Sequence, residues 1–477
     1  MKRHHGTPWL VPTSLLLTAL TRVAWLALFP IDPIGAVDAE GYHLIARNLL
    51  AGHGFAMTWD SPFCPTTVRT PLYPLFLAGV YRAWGFDPAR AVLAQVLLEV
   101  VTTALVIRLG REIGSRRVGT LAGLLYALNG TTQRYTGALF AETLLLPALA
   151  AAICISVRAI RSPKRTHTAA AGVLWGIALL VKPNLQYLAL IAGFLITCAP
   201  LLHVSRFTFY VSRALLFTLS LLLITFPWLI RNRRALDRWT LSTAFEENVA
   251  RVSAVATLTE VRDLRVEPWT RSWEALYGEL VDEAAERYAW DARALDVSVC
   301  AARRQRHREV AAVAREVVQA HPLQAVTAHL RGVGRSLFDP GHRTWYPALT
   351  GRRWAAMGVV ANVWQRMGES LRIGAVGDAL RAFWLERIVR PPLGAALLWW
   401  GLLAGRITVW GLGLRGWRRL LRKQRGLAHL LAAAVIYVVL LPGPIAYDRF
   451  YLPAVPVVVI LVAIGQRKIP LYVPEDV

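Results

Sequence analysis

What most limits the folds open to this chain is the gathering of its apolar residues into blocks. A sequence of 477 residues that is 55% hydrophobic and still carries 54 Lys plus Arg, with a net charge of +24, must keep those populations apart, because a single soluble core could not absorb both. Apolar windows recur at Leu10–Phe29, Ala91–Ile107, Val118–Leu128, Ala138–Val157, Ala169–Val181, Leu185–Leu202, Ala214–Ile230, Leu393–Trp410, Leu427–Leu441 and Leu452–Ile464. Set against the ~20 residues that cross a hydrocarbon layer, they predict an all-α integral membrane protein of about ten transmembrane helices. Val118–Leu128 is short and must recruit flanking residues to span. The run Leu10–Pro30 after Lys2 and Arg3 has no small-residue cleavage site behind it and reads as a retained first span.

Ten spans place every basic cluster on one side: Lys2–Arg3, Arg108 to Arg117, Arg158–Arg165, Arg206 and Arg213, Arg415–Arg425, and Arg467–Lys468. By the positive-inside rule that side is cytoplasmic, with both termini, in an inner (plasma) membrane. Basic residues placed in this way meet anionic lipid, and nucleic acid is not an expected partner. Three regions follow: a transmembrane module over 1–230 with a first outer loop at 30–90, a non-cytoplasmic helical region over 231–390, and C-terminal transmembrane helices over 391–477. Within the middle region, "VDEAAERYAWDARALD", "CAARRQRHREVAAVAREVVQA" and "HPLQAVTAHLRGVGRSLFDPG" repeat apolar residues at helical spacing, the last with Pro322 near its start and a stop at Pro340–Gly341. Trp and Arg alternating between Trp354 and Arg390 predict juxtamembrane helices lying at headgroup depth. Of the four cysteines, Cys154 and Cys198 fall inside spans, while Cys64 and Cys300 both face the outer side. A bridge between the latter two is chemically permitted, but disfavoured because two distant cysteines rarely meet.

The first outer loop is dense in acids, aromatics, Gly and Pro directly after a span. Asp38 and Glu40 open a short predicted helix, Ala39–Leu50, stopped by Gly52 and Gly54. One reading is purely structural, with Asp38 as the helix N-cap and Glu40 favoured by the dipole. The other makes Asp38 a general base that activates an acceptor hydroxyl for attack on a lipid-linked sugar. A glycosidase needs a second carboxyl as acid because an alkoxide leaves poorly; a polyprenyl phosphate leaves already stabilised and needs cations instead. Arg69, Lys182, Arg231 and Arg449 lie at the outer ends of predicted spans, where a carrier phosphate would rest, although each could equally be a snorkelling headgroup contact. Arg22 and Glu99 fall inside spans, where an unpaired charge costs ~3 kcal/mol or more; they either pair or face a polar cavity separately.

"VDAEGYHLIARNLLAGHGF", "RTPLYPLFLAGVYRAWG", "RYTGALFAETLLL", "GIALLVKPN", "PWLIRNRR…LSTAFEEN" and "DRFYLPAVP" follow one another in the order seen in the protein O-mannosyltransferase-like glycosyltransferases, which include the bacterial aminoarabinose transferases, and the chain resembles that family over Leu10–Asn248 and Tyr447–Ile464. The resemblance implies a GT-C membrane fold and inverting transfer of a sugar from a polyprenyl-phosphate donor to a protein, lipid or glycan acceptor. It implies that Asp38 takes the family's catalytic acidic position and Glu142 a second functional carboxylate. Arg69 would contact the carrier phosphate, and Tyr42 and Tyr73 would line the same cavity. The chain departs from relatives with adjacent Asp-Glu, carrying Asp38-Ala39-Glu40 instead, and Val68 stands where some relatives place Glu. No cofactor is required by this chemistry, although Asp38, Glu40 and Glu142 could offer oxygen ligands to Mg or Mn. The alternative is a transporter or flippase, which predicts broken helices at the bilayer midplane in two related halves; a non-catalytic scaffold would need no acidic loop beside a basic set.

Overall fold

The structure is a computed structural model, and it describes residues 9–198, 207–264, 266, 268–290, 300–339, 345, 370, 374–384 and 393–466. The described residues are helical, with a single isolated bridge between Ala56 and Pro65. All ten apolar windows fall on helices: α1 Leu10–Leu28, α4 Pro88–Ile113, α5 Arg116–Ala127, α7 Glu142–Arg161, α8 Arg165–Val181, α9 Gln186–Cys198, α10 Phe207–Leu236, α17 Leu393–Lys423, α18 Arg425–Leu440 and α19 Val455–Gly465. Among the described residues, six helices, α19 counted with the 3₁₀ turn Asp448–Ala454 before it, are long and apolar enough to cross a membrane. Helices α8, α9 and α18 are shorter apolar helices, and α5, at 12 residues, is shorter still. The end of the window Leu185–Leu202 and the clusters Lys2–Arg3 and Arg467–Lys468 lie outside the described residues.

Small residues let these helices approach. A methyl group at Gly416 of α17 would meet the Leu461 carbonyl of α19, and one at Gly465 would meet the Leu412 carbonyl, so the two backbones pack directly. Arg22 and Glu99 do pair, at 3.1 Å and both fully buried. Tyr126 donates to the same carboxylate at 3.0 Å, and Arg22 also donates to Thr132 Oγ1 at 2.6 Å, so neither charge is left bare inside the bundle.

Loop 30–90 carries two helices, α2 Val37–Leu50 and α3 Leu72–Trp84. The first matches the expected helix with two more residues at its start; the second was hidden by its place among loop residues, although its apolar face buries Tyr73, Leu77 and Tyr81. Beyond α10, the short helices α11 Ala244–Asn248 and α12 Val255–Val261 join α13 Arg271–Arg287, α14 Cys300–Ala320 and α15 Pro322–Phe338 around a second core of Ala254, Trp273, Leu276, Leu280, Val313 and Ala328. Of the interfacial stretch expected between Trp354 and Arg390, only Ser370 and residues 374–384 are described, including a nine-residue amphipathic helix, α16 Val376–Trp384; the rest lies outside the described residues.

Contrary to the expectation from their separation, Cys64 and Cys300 are joined in a disulfide, with Cα atoms 5.3 Å apart. The fold of the second core brings α14 against loop 30–90, which chain distance could not reveal.

Candidate functional site

Five separate segments each send one charged group to a common point. Helix α2 brings Asp38 in its first turn, but not as a cap: the N-cap is Ala36, with no side-chain hydrogen bond. The Asp38 carboxylate instead meets Arg69 Nη2 at 2.5 Å through one oxygen and Arg449 Nη2 at 2.8 Å through the other. Gly41, one turn on, lets the neighbouring loop close over α2, since a methyl there would stand 2.9 Å from Met57 Sδ.

Glu142 occupies the first turn of α7, where the helix dipole favours its charge. Lys182 caps the C-terminal end of α8, the end that favours a cation, and is held extended by the following Pro183. Its Nζ lies 2.8 Å from Glu142 Oε1. Arg449, in the 3₁₀ turn that leads into α19, reaches both acids: its Nε donates to Glu142 Oε1 at 2.8 Å and its Nη2 to Glu142 Oε2 at 3.3 Å. The guanidinium also lies 3.6 Å from the Phe140 ring centroid, a cation–π contact at short range. Tyr42 and Tyr73 meet edge to face at 4.8 Å, with Arg69 over the Tyr42 ring.

Three cations thus surround two carboxylates, and the local balance is positive. The two acids differ in access: the Glu142 side chain is 1% exposed, that of Asp38 34%. Burial alone would push the Asp38 carboxyl up, but Arg69, Arg449 and Lys182 outweigh it and hold the group well below the usual carboxylate range. Burial pushes the Tyr42 phenol up, so it remains protonated as a donor.

Two residues expected at the site stand elsewhere. Glu40 accepts from Trp59 Nε1 at 2.8 Å on the exposed side of α2. Arg231 donates to the Thr66 carbonyl at 2.8 Å and stacks on Trp228, so it holds the strand of loop that delivers Arg69, together with Ser242 and Thr243 bonding to Val68 and Thr67. Glu40 is turned away and cations lie on the oxygens of Asp38 and Glu142; no group of three His, Cys, Asp or Glu poised for a metal occurs among the described residues.

Other residues support the cluster without having been singled out. Gln95 of α4 accepts from Tyr73 at 2.6 Å and from Thr143 at 2.7 Å, and donates to the Thr136 and Ala138 carbonyls, fixing Tyr73 and the start of α7 together. Asp448, beside Arg449, accepts from Tyr135 at 2.7 Å and is buried. A polar residue inside the apolar window of α4 was the available signal for Gln95, and the motif "DRFYLPAVP" itself was the signal for Asp448.

This fold is the GT-C fold, the helical membrane architecture of a superfamily of glycosyltransferases. An archaeal oligosaccharyltransferase from Archaeoglobus fulgidus, solved tethered to an acceptor peptide, superposes with a TM-score of 0.50 at 15% identity over 96% of this chain and 49% of that one. Within the chain, residues 68–230 match the family described as dolichyl-phosphate-mannose-protein mannosyltransferase. ArnT from Cupriavidus metallidurans bound to undecaprenyl phosphate gives a TM-score of 0.40 at 15% identity, over 95% of this chain and 77% of that one. The arabinosyltransferase EmbB from Mycobacterium smegmatis gives 0.37 at 16% identity, over 85% and 42%. The chain spans about half the length of the archaeal enzyme. No curated protein matches the sequence.

Proposed function

We propose that this chain is an inverting glycosyltransferase that moves a sugar from a polyprenyl-phosphate donor to an acceptor hydroxyl at the outer face of the membrane. The observation that carries the reading is a partly exposed carboxylate, Asp38, held between Arg69 and Arg449 in a cluster whose cations outnumber its acids. The excess positive charge suits the donor phosphate, and the mannosyltransferase match over residues 68–230 points to the same lipid-phosphate class of donor.

In the proposed step the acceptor oxygen attacks the anomeric carbon and its proton passes to the Asp38 carboxylate. The bond from that carbon to the phosphate oxygen breaks, and the electron pair leaves on the polyprenyl phosphate, stabilised by Arg69, Arg449 and Lys182. A single displacement inverts the anomeric centre. The cations that make Asp38 a weak base also solve that weakness: phosphate bound to them offsets their charge, and the proton affinity of Asp38 rises when the donor is in place. Glu142, buried against Lys182 and Arg449, is a positioning residue.

The test is transfer from a panel of radiolabelled polyprenyl-phosphate sugars to membrane acceptors by the purified protein and by a folded Asp38→Asn variant. Label transferred by the wild type and lost in the variant supports the reading; full transfer by Asp38→Asn sinks the base, and no transfer from any donor sinks the enzyme and favours a carrier.

A further inference from the structure

A cavity of about 400 Å³ lies between loop residues 57–68, the segment from Leu236 to Ala250, and one face of α14. It is separate from the charged cluster but shares a wall with it, since Val68 lines the cavity and the next residue, Arg69, holds Asp38. Helical spacing puts Cys300, Arg303, Arg304, His307 and Arg308 on one face of α14, and the disulfide to Cys64 turns that face towards the loop. Arg303, Arg304 and Arg308 make no ion pair or hydrogen bond among the described residues, and Arg303 and Arg308 are exposed. Arg238, on the opposite wall, is already paired with Glu246. With Glu247 as the other acid present, the lining carries more positive charge than its own carboxylates answer. Tyr277 adds an aromatic surface of the kind that packs against a sugar ring.

We infer that this cavity is the acceptor subsite, and that its unanswered arginines select an acceptor with a phosphate group near the hydroxyl to be glycosylated. The inference rests on the proposed transfer reaction and deepens it. Arginine forks match a phosphate bidentately, and a cavity whose wall at Val68 runs on into Arg69 of the charged cluster leaves room for a second substrate while the lipid donor occupies that cluster. The phosphate can be carried by a soluble saccharide or by a lipid headgroup, and the chemistry read by the arginines is the same.

The experiment uses the full chain in phosphatidylcholine nanodiscs. Binding of glucose 6-phosphate is compared with glucose, and a nanodisc containing phosphatidylinositol 4-phosphate with one containing phosphatidylinositol. Undecaprenyl phosphate serves as the donor-site probe. A phosphorylated probe should bind at least tenfold tighter than its unphosphorylated counterpart, and whichever of the two does so identifies the source. The R303Q/R304Q/R308Q variant should lose that preference, the R303K/R304K/R308K variant should keep only the part that charge without the guanidinium fork supplies, and undecaprenyl phosphate affinity should stay within twofold in both. Equal binding of phosphorylated and unphosphorylated probes, an unchanged preference in the glutamine variant, or no binding of either phosphorylated probe to the wild type overturns the inference. Failure of undecaprenyl phosphate to bind the wild type would instead count against the donor reading, and the glucose 6-phosphate comparison would still stand on its own.

Discussion

At Asp38 one carboxylate oxygen faces Arg69 and the other Arg449, so its charge is secured long before any substrate arrives. Burial favours the protonated form, yet the three cations win and the folded value lies below the ordinary 3.8. A depressed value means that the ion pairs contribute stability fully above 3.8 and lose it as pH falls further, towards the folded value. The difference in thermal midpoint between wild type and Asp38→Asn should therefore stay flat from pH 8 to about 4 and shrink only below that; a difference that fades around pH 6 would contradict the environment described. In the transfer assay the same variant should lose about 10²- to 10⁴-fold in rate, the range for a positioned base, with undecaprenyl phosphate still bound. Because arginine and lysine supply the charge that a metal would otherwise bring, transfer should persist in excess EDTA, measured as initial rate before and after chelation. Glu142 behaves differently. It is buried against Arg449 and half-buried Lys182, and Glu142→Gln leaves both cations short of a partner, a loss of about 3–5 kcal/mol in stability. Undecaprenyl phosphate should recover part of the lost thermal midpoint by returning negative charge to that place, as ligand linkage requires.

The helices that carry these residues were legible in the sequence to different degrees. Apolar blocks announce a span wherever they run unbroken, and each of the ten windows lies on a helix. Helix α3 escaped because Pro74 and four aromatics make it resemble loop, and its helical period emerges only once Tyr73 has Gln95 to bond and Tyr81 has His43. Arg69, Lys182 and Arg449 could be picked out singly as charges at span ends, Asp38 as an acid opening the first-loop helix, and Glu142 only through the family resemblance, but their mutual distances depend on how α2, α7, α8 and the turn before α19 pack. Arg231 shows the limit of that signal: it has the same sequence context and grips loop carbonyls instead. The Cys64–Cys300 bridge was equally a matter of packing between elements. It closes a sequence separation of 236 residues and ties α14 to loop 30–90, so Cys64→Ala should cost about 2–4 kcal/mol. Hydrogen exchange would locate the loss: α14 amides should exchange faster in the variant or after reduction, while those of α4 and α7 remain protected. Unchanged exchange in α14 would mean that the second core holds the helix without the bridge.

Across the whole molecule, charge distribution and redox chemistry both bear on sidedness. Arg108, Arg111, Arg116 and Arg117 gather at one end of the bundle between α4 and α5, and Arg158–Arg165 joins them, with Arg158 paired to Glu112. The charged cluster and the disulfide belong to segments on the other ends of the same spans. On the proposed outer-face orientation the basic loops are those the positive-inside rule keeps in the cytoplasm, and the disulfide falls on the oxidising side. Cysteine labelling decides it. In a background with Cys154 and Cys198 replaced by Ala and the Cys64–Cys300 bridge intact, Trp59→Cys in loop 30–90 should react in intact cells with a membrane-impermeant maleimide, because Trp59 is exposed. Arg117→Cys, exposed in the first turn of α5, should react only after the cells are opened. The reverse pattern would turn the protein over, placing Asp38 and its arginines in the cytoplasm; the donor headgroup would then have to be presented from that leaflet, and the disulfide would lose the compartment that maintains it.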